Sequence, residues 1–272
     1  MSYEASEERH QPYDREQLEE LIFEEKVSLR SIDVSLITDM SHLFVEQSHG
    51  GNIEEVPVEE RMRHIYFSDP VNDITGWDVS NVTDMSYMFC GCSGFNQDIG
   101  RWNVSKVRDM SSMFFTCTSF NQDIGGWDVS NVEDMSWMFE GCNQFNRDIG
   151  NWDVSRVRNM RGMFDYCELF NQDLGRWDVS NVEDMAYMFG GCVNFDQDLS
   201  AWDVSSVEDM VYMFVFCKRF NSNLRAWDVS KVRDMAGMFL ECDSFRQDLG
   251  SWRTSEANKA AMYRKPQHAT RR

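Results

Sequence analysis

A tryptophan that returns every 25 residues constrains this chain more than anything else in it. Trp77, Trp102, Trp127, Trp152, Trp177, Trp202, Trp227 and Trp252 keep the register, and only Trp137 falls outside it. Around each runs W-D-V-S-x-V-x-D-M-S-x-M-F-x-x-C-x-x-F-N-Q-D-I/L-G-x, in seven copies from Trp77 to Gly250 with almost no change of length. Self-similarity at a fixed period is the signature of a solenoid. A closed globule does not force equal lengths; a stack of coils does, because every insertion must be looped out of the stack.

The period divides the chain. Residues 32–252 form the solenoid: one degenerate coil, with Ile32 in the tryptophan place, then seven regular ones. The step from Ile32 to Trp77 is 45 residues, so the first coil carries an excursion at 45–70. Upstream, residues 1–31 hold an amphipathic stretch from Asp14 to Lys26, with Leu18, Leu21, Ile22 and Phe23 apolar and Asp14 placed as N-cap. A short helix there would cap the first coil. Residues 253–272 form a basic tail with a second short helix expected over 255–264.

Within a copy, Ile99, Trp102, Val104, Val107, Met110, Met113, Phe114, Cys117 and Phe120 are the residues expected to point inward. The short alternations Trp-x-Val and Val-x-x-Met predict three-residue strands stacked in parallel. Met110 to Cys117 has apolar residues at i, i+3, i+4 and i+7, which predicts one or two helical turns with Ser111 as N-cap. Stacked coils place like over like. Asn96, Asn121, Asn146, Asn171 and Asn221 then form a ladder of buried turn asparagines, expected to weaken at Asp196 and Arg246.

The Met-Phe-x-x-Cys-x-x-Phe-Asn pattern, followed by Trp-x-Val, resembles the BspA-like leucine-rich-repeat surface proteins. It is similar in particular to the mycoplasma-type surface-protein repeat, whose core W-D-V-S-N-V-T-D-M stands unchanged at Trp77 to Met85. The resemblance spans about Ile32 to Trp252. It implies a curved, leucine-rich-repeat-like solenoid, and adhesion or protein binding at a cell surface. The fold expectation is therefore 25-residue coils with short parallel β-strands and a short helical turn each, capped by an N-terminal helix.

Several repeated residues invite chemistry. Cys92, Cys117, Cys142, Cys167, Cys192, Cys217 and Cys242 follow the period, with Cys90 extra. Equivalent cysteines in stacked coils point the same way, whereas a disulfide needs Cβ vectors that face each other. Nor does 25-residue spacing gather four zinc ligands at one point, so the thiols are expected in the core. Asp84, Asp109, Asp134, Asp184, Asp209 and Asp234, with Asn159 among them, form one acidic ladder; Asp98, Asp123, Asp148, Asp173, Asp198 and Asp248 form another. Calcium between coils is one reading; carboxylates bonding backbone N–H groups at turns is the favoured one. The histidines His10, His42, His49, His64 and His268 lie outside the regular array, and a motif repeated seven times argues for structure, since an active site is usually singular. No enzyme, cofactor or metal is expected.

The columns that vary point to a partner. Arg108, Glu133, Arg158 and Glu183 would stack as alternating charges. Tyr87, Trp137 and Tyr187 sit four residues before Gly91, Gly141 and Gly191, bulky beside small; Tyr212 with Phe216 breaks the rule. These four aromatic residues either fill gaps between turns or form an exposed stripe of the composition found at interface hot spots. Formal charge is −20, which disfavours nucleic acid for the solenoid body and favours cationic partners. No signal peptide or membrane span is visible, which gives a cytoplasmic expectation, with cell-surface display the alternative. The functional expectation is a repeat scaffold for protein–protein binding, adhesin-like. The alternatives are a structural repeat protein that self-associates, a calcium-binding solenoid, and a hydrolase built on the excursion near His49 and His64.

Overall fold

The computed structural model describes residues 9–45, 67 and 69–264. Successive coils lie on one another in register. Phe89, Phe114, Phe139, Phe164, Phe189, Phe214 and Phe239 stack with ring centroids 5.6–5.8 Å apart. Phe95 to Phe245 form a parallel column at 5.8–6.1 Å. The late indoles, Trp152 on Trp177 and Trp202 on Trp227 on Trp252, are within 4° of coplanar. All nine residues expected inward in the Ile99–Phe120 copy are buried, within one continuous core. From Trp102 onward, each periodic indole N–H donates to a carbonyl 28 residues earlier, at 2.9–3.3 Å. A buried indole therefore leaves no orphan donor and ties each coil to the one before.

The expected strands and helical turn are absent. Among the described residues there is no β-strand, and the leucine-rich-repeat-like description of the coil fails with it. Among the described residues, strand-type pairing shrinks to isolated parallel bridges: one column from Asp39 through Asp84, Asp109, Asp134, Asn159, Asp184 and Asp209 to Asp234, and a single bridge between His10 and Ile32. The reason lies in where the amides go. Met135, Trp137, Phe139 and Gly141 donate to Asn159, Arg161, Met163 and Asp165 on the next coil, at 2.7–3.0 Å. The amides between them turn inward along the chain: Met138 to the Met135 carbonyl, Glu140 to Trp137, Cys142 to Phe139. Each is a four-residue β-turn. A strand would spend none of its amides on itself.

Chained turns also replace the helix. The third residue of each Met-x-x-Met and Phe-x-x-Cys turn has positive φ, as a type II turn requires. Ser112 (φ 53°) and Thr116 (φ 55°) show it in one copy, so the run cannot be helical. With no helix to cap, Ser111 is no N-cap; its N–H donates to the Asp109 carboxylate at 2.8 Å.

Both ends of the stack are covered. Helix α1, Arg15–Glu19, starts at Asp14, whose carboxylate accepts from the Gln17 amide, and runs into one wider π-helical turn, Glu20–Glu24. Leu18, Leu21 and Ile22 are buried on the core. At the far end helix α2, Glu256–Ala261, is capped by Ser255. Its last turn accepts the outward amides of the final coil, Gly237 to the Ala261 carbonyl and Phe239 to Met262, both at 2.9 Å. Of the excursion, Phe67 packs on Phe44, Phe89 and Phe95. His49, His64 and His268, and with them the proposed hydrolase pocket, lie outside the described residues.

Candidate functional site

Each regular coil has two left-handed backbone positions, and they line up into two columns. The first holds Tyr87, Ser112, Trp137, Gly162, Tyr187, Tyr212 and Gly237; the second Gly91, Thr116, Gly141, Tyr166, Gly191, Phe216 and Glu241. All have φ between 53° and 82°. Five of the fourteen are glycine, the residue that adopts this conformation without steric cost. Six are aromatic, for which the conformation costs about 1–2 kcal/mol each. The four aromatic residues of the sequence-derived stripe, Tyr87, Trp137, Tyr187 and Tyr212, all belong to the first column; Tyr166 and Phe216 of the second were not singled out by sequence.

The rings lean toward the following coil. A Cβ on Gly162 would overlap the Trp137 ring, and one on Gly237 would overlap Tyr212. Because Gly162 leaves room, Trp137 reaches over that coil to Tyr187, with centroids 5.9 Å apart, and Tyr187 meets Tyr212 at 5.2 Å. At the other end His42 stacks on Tyr87 at 4.5 Å. For Trp137, Tyr166 and Tyr212 the small neighbour is thus one coil on in the same column, at Gly162, Gly191 and Gly237, not four residues on in the same coil; Tyr187 and Phe216 are followed in their columns by Tyr212 and Glu241 instead. These rings form a surface band: Tyr87, Tyr166 and Phe216 are each 38% exposed, and Trp137, Tyr187 and Tyr212 are half-buried.

Beside this band runs the first acidic ladder. Each carboxylate closes its own turn through Oδ1, which accepts the N–H two residues on: Ser86 for Asp84, Ser111 for Asp109, Ser136 for Asp134, at 2.7–2.9 Å. Asn159 does the same for Arg161. Arg161 then lies along the ladder. Its guanidinium donates to Oδ2 of Asp184 at 3.0 Å and of Asp209 at 3.3 Å, and sits 5.5 Å from the Tyr187 ring centre. Burial works against its charge, yet the two carboxylates outweigh it and its pKa is raised. At the first coil Arg15, from α1, holds Asp39 and the Ser41 hydroxyl. Burial pushes the Asp109 carboxyl up, with Asp134 and Asp84 adding to the effect.

The other ladders act inside the structure. All eight cysteines are free and buried. The seven periodic thiols each donate to a phenylalanine carbonyl of the preceding coil, at 2.7–3.0 Å. The asparagine ladder is surface-lying rather than buried, each Oδ1 accepting the amide of the next rung. It does not weaken at Asp196, whose Oδ1 accepts from Asn221 at 3.1 Å, nor at Arg246, whose amide donates to Asn221. The Asp98-type residues close turns, as Asp98 does for Gly100 and Asp123 for Gly125. Arg108 pairs with Glu133 and Arg158 with Glu183. Among the described residues no group of three or more His, Cys, Asp or Glu is placed to hold a metal ion. No helix among them is long and apolar enough to cross a membrane.

These features define a class: a tandem-repeat protein whose 25-residue coils are built from linked turns around an aromatic core. The chain belongs to the family described as Mycoplasma protein of unknown function, DUF285, whose model matches residues 60–177 and 159–271. No curated protein matches it.

Proposed function

We propose that this chain is a non-catalytic scaffold that binds a protein partner across the left-handed aromatic band. One observation carries the reading. Tyr87, Trp137, Tyr187, Tyr212, Tyr166 and Phe216 occupy a backbone conformation that other coils fill with glycine. Strained residues of this kind concentrate where a protein does its work. Contacts between the rings return about 0.5–1.5 kcal/mol per pair, which offsets the strain but gives little net reason to keep it. An aromatic band on an extended face is a binding surface of the kind solenoids use.

The resemblance to BspA-like surface proteins supports an adhesin-like role on a cell exterior, to be checked by protease shaving of intact cells. The competing reading, a structural protein that stacks end to end, is less well supported, because α1 and α2 cover the two end coils. The test is the double variant Trp137→Gly/Tyr187→Gly, which suits the local backbone. The expected result is a melting temperature close to the parent with loss of a partner identified by cross-linking. Retained binding, or unfolding in place of lost binding, contradicts the proposal.

A further inference from the structure

The acidic ladder seats guanidinium groups, and the chain supplies two of them. Arg161 bridges Asp184 and Asp209 through their outer oxygens, against the face of Tyr187. Arg15 takes Asp39. Four coils before the Arg161 seat, the same constellation recurs as Asp84, Asp109 and Tyr87. Here too Oδ1 of each carboxylate is used up by its own turn, at 2.9 and 2.8 Å. The residue in the place of Arg161 is Ser41, whose hydroxyl already binds Arg15. Among the described residues no cationic side chain pairs with Asp84 or Asp109. Both carboxylates are half-exposed and lie beside the aromatic band, on a chain of formal charge −20.

We propose that the Asp84–Asp109 pair, at the edge of Tyr87, is the docking slot for an arginine side chain on an extended basic segment of the partner protein. This rests on the aromatic band being a binding surface and names the chemistry it receives. Arginine suits the slot better than lysine: its planar fork reaches two carboxylates at once, as Arg161 shows, while an ammonium is a point charge. His42, stacked on Tyr87, borders the slot on the side of the preceding coil.

The experiment titrates fluorescein-labelled hexa-arginine into the full chain and reads anisotropy. Saturable binding at one site is expected, weaker for hexa-lysine. Asp84→Asn/Asp109→Asn should weaken it by at least about tenfold. This variant keeps the fold, since Asn159 already closes its turn in the same column. Arg161→Ala should vacate the second seat and raise the stoichiometry to two. Asp148→Asn/Asp173→Asn, an equal loss of charge elsewhere, should change little; Asn223 shows that this other column also accepts asparagine. Unchanged affinity in the Asp84/Asp109 variant, an equal fall in the Asp148/Asp173 control, or one site in Arg161→Ala each overturns the slot. In that case the band itself still stands if Trp137→Gly/Tyr187→Gly loses its cross-linked partner; it falls if that partner is retained.

Discussion

The Trp137 ring lies directly over the α-carbon of Gly162 on the following coil, and a methyl group there would displace it. Gly162 is also left-handed, at φ 60°. Gly162→Ala therefore meets two penalties. Backbone strain alone is about 1–2 kcal/mol, and the ring must leave its place against Tyr187. A loss of about 2 kcal/mol or more in urea unfolding is expected. Gly126, whose surroundings are open, supplies the comparison; Gly126→Ala should be close to neutral. Equal effects at the two sites would contradict the packing described here.

Asp109 predicts an inverse pH effect. Burial raises its pKa in the fold, so the folded state favours the protonated form. Its contribution to stability is therefore present below the ordinary carboxylate range and lost as pH rises through the raised value. Asp109→Asn should match or exceed the parent in stability at pH 7, and the advantage should shrink at pH 4. Paired urea melts measure it; an Asn variant less stable than the parent at pH 7 refutes it.

The thiols should be inert while the chain is folded. Cys117, Cys142, Cys167, Cys192 and Cys217 are fully buried, and burial pushes each thiol well up. Cys90 and Cys242 are pushed less far, to about 11 and about 12. Thiolate is the reactive form. Iodoacetamide at pH 8, followed by mass spectrometry, should label Cys90 and Cys242 first and the five central thiols only on unfolding. Rapid native labelling of Cys142 would contradict the ladder.

Sequence disclosed the period, the inward residues and the turn-closing aspartates, because burial and repetition leave marks at fixed positions. It misled on the coil itself. Met110, Met113, Phe114 and Cys117 stand at i, i+3, i+4 and i+7 both in a helix and in two linked four-residue turns. The deciding signal was the glycine shared out between two columns, Gly91, Gly141, Gly162, Gly191 and Gly237, which marks left-handed backbone. Trp-x-Val looked like strand because alternation says which side chain faces inward, not whether the amides bond to a neighbour. The Arg161 seat was not legible, since it joins residues 23 and 48 apart across three coils. Asn159 replacing Asp within the ladder was its only trace.

Coils without strands are held together by a regular set of amides. Amide hydrogen exchange followed residue by residue by NMR reads these bonds one at a time. Met135, Trp137, Phe139 and Gly141, which donate to the next coil, should exchange slowly, and so should their equivalents one period away. Their protection should approach that of the global unfolding reaction. Fast, uniform exchange through this segment, as in an irregular loop, would mean that these amides do not hold the coils together.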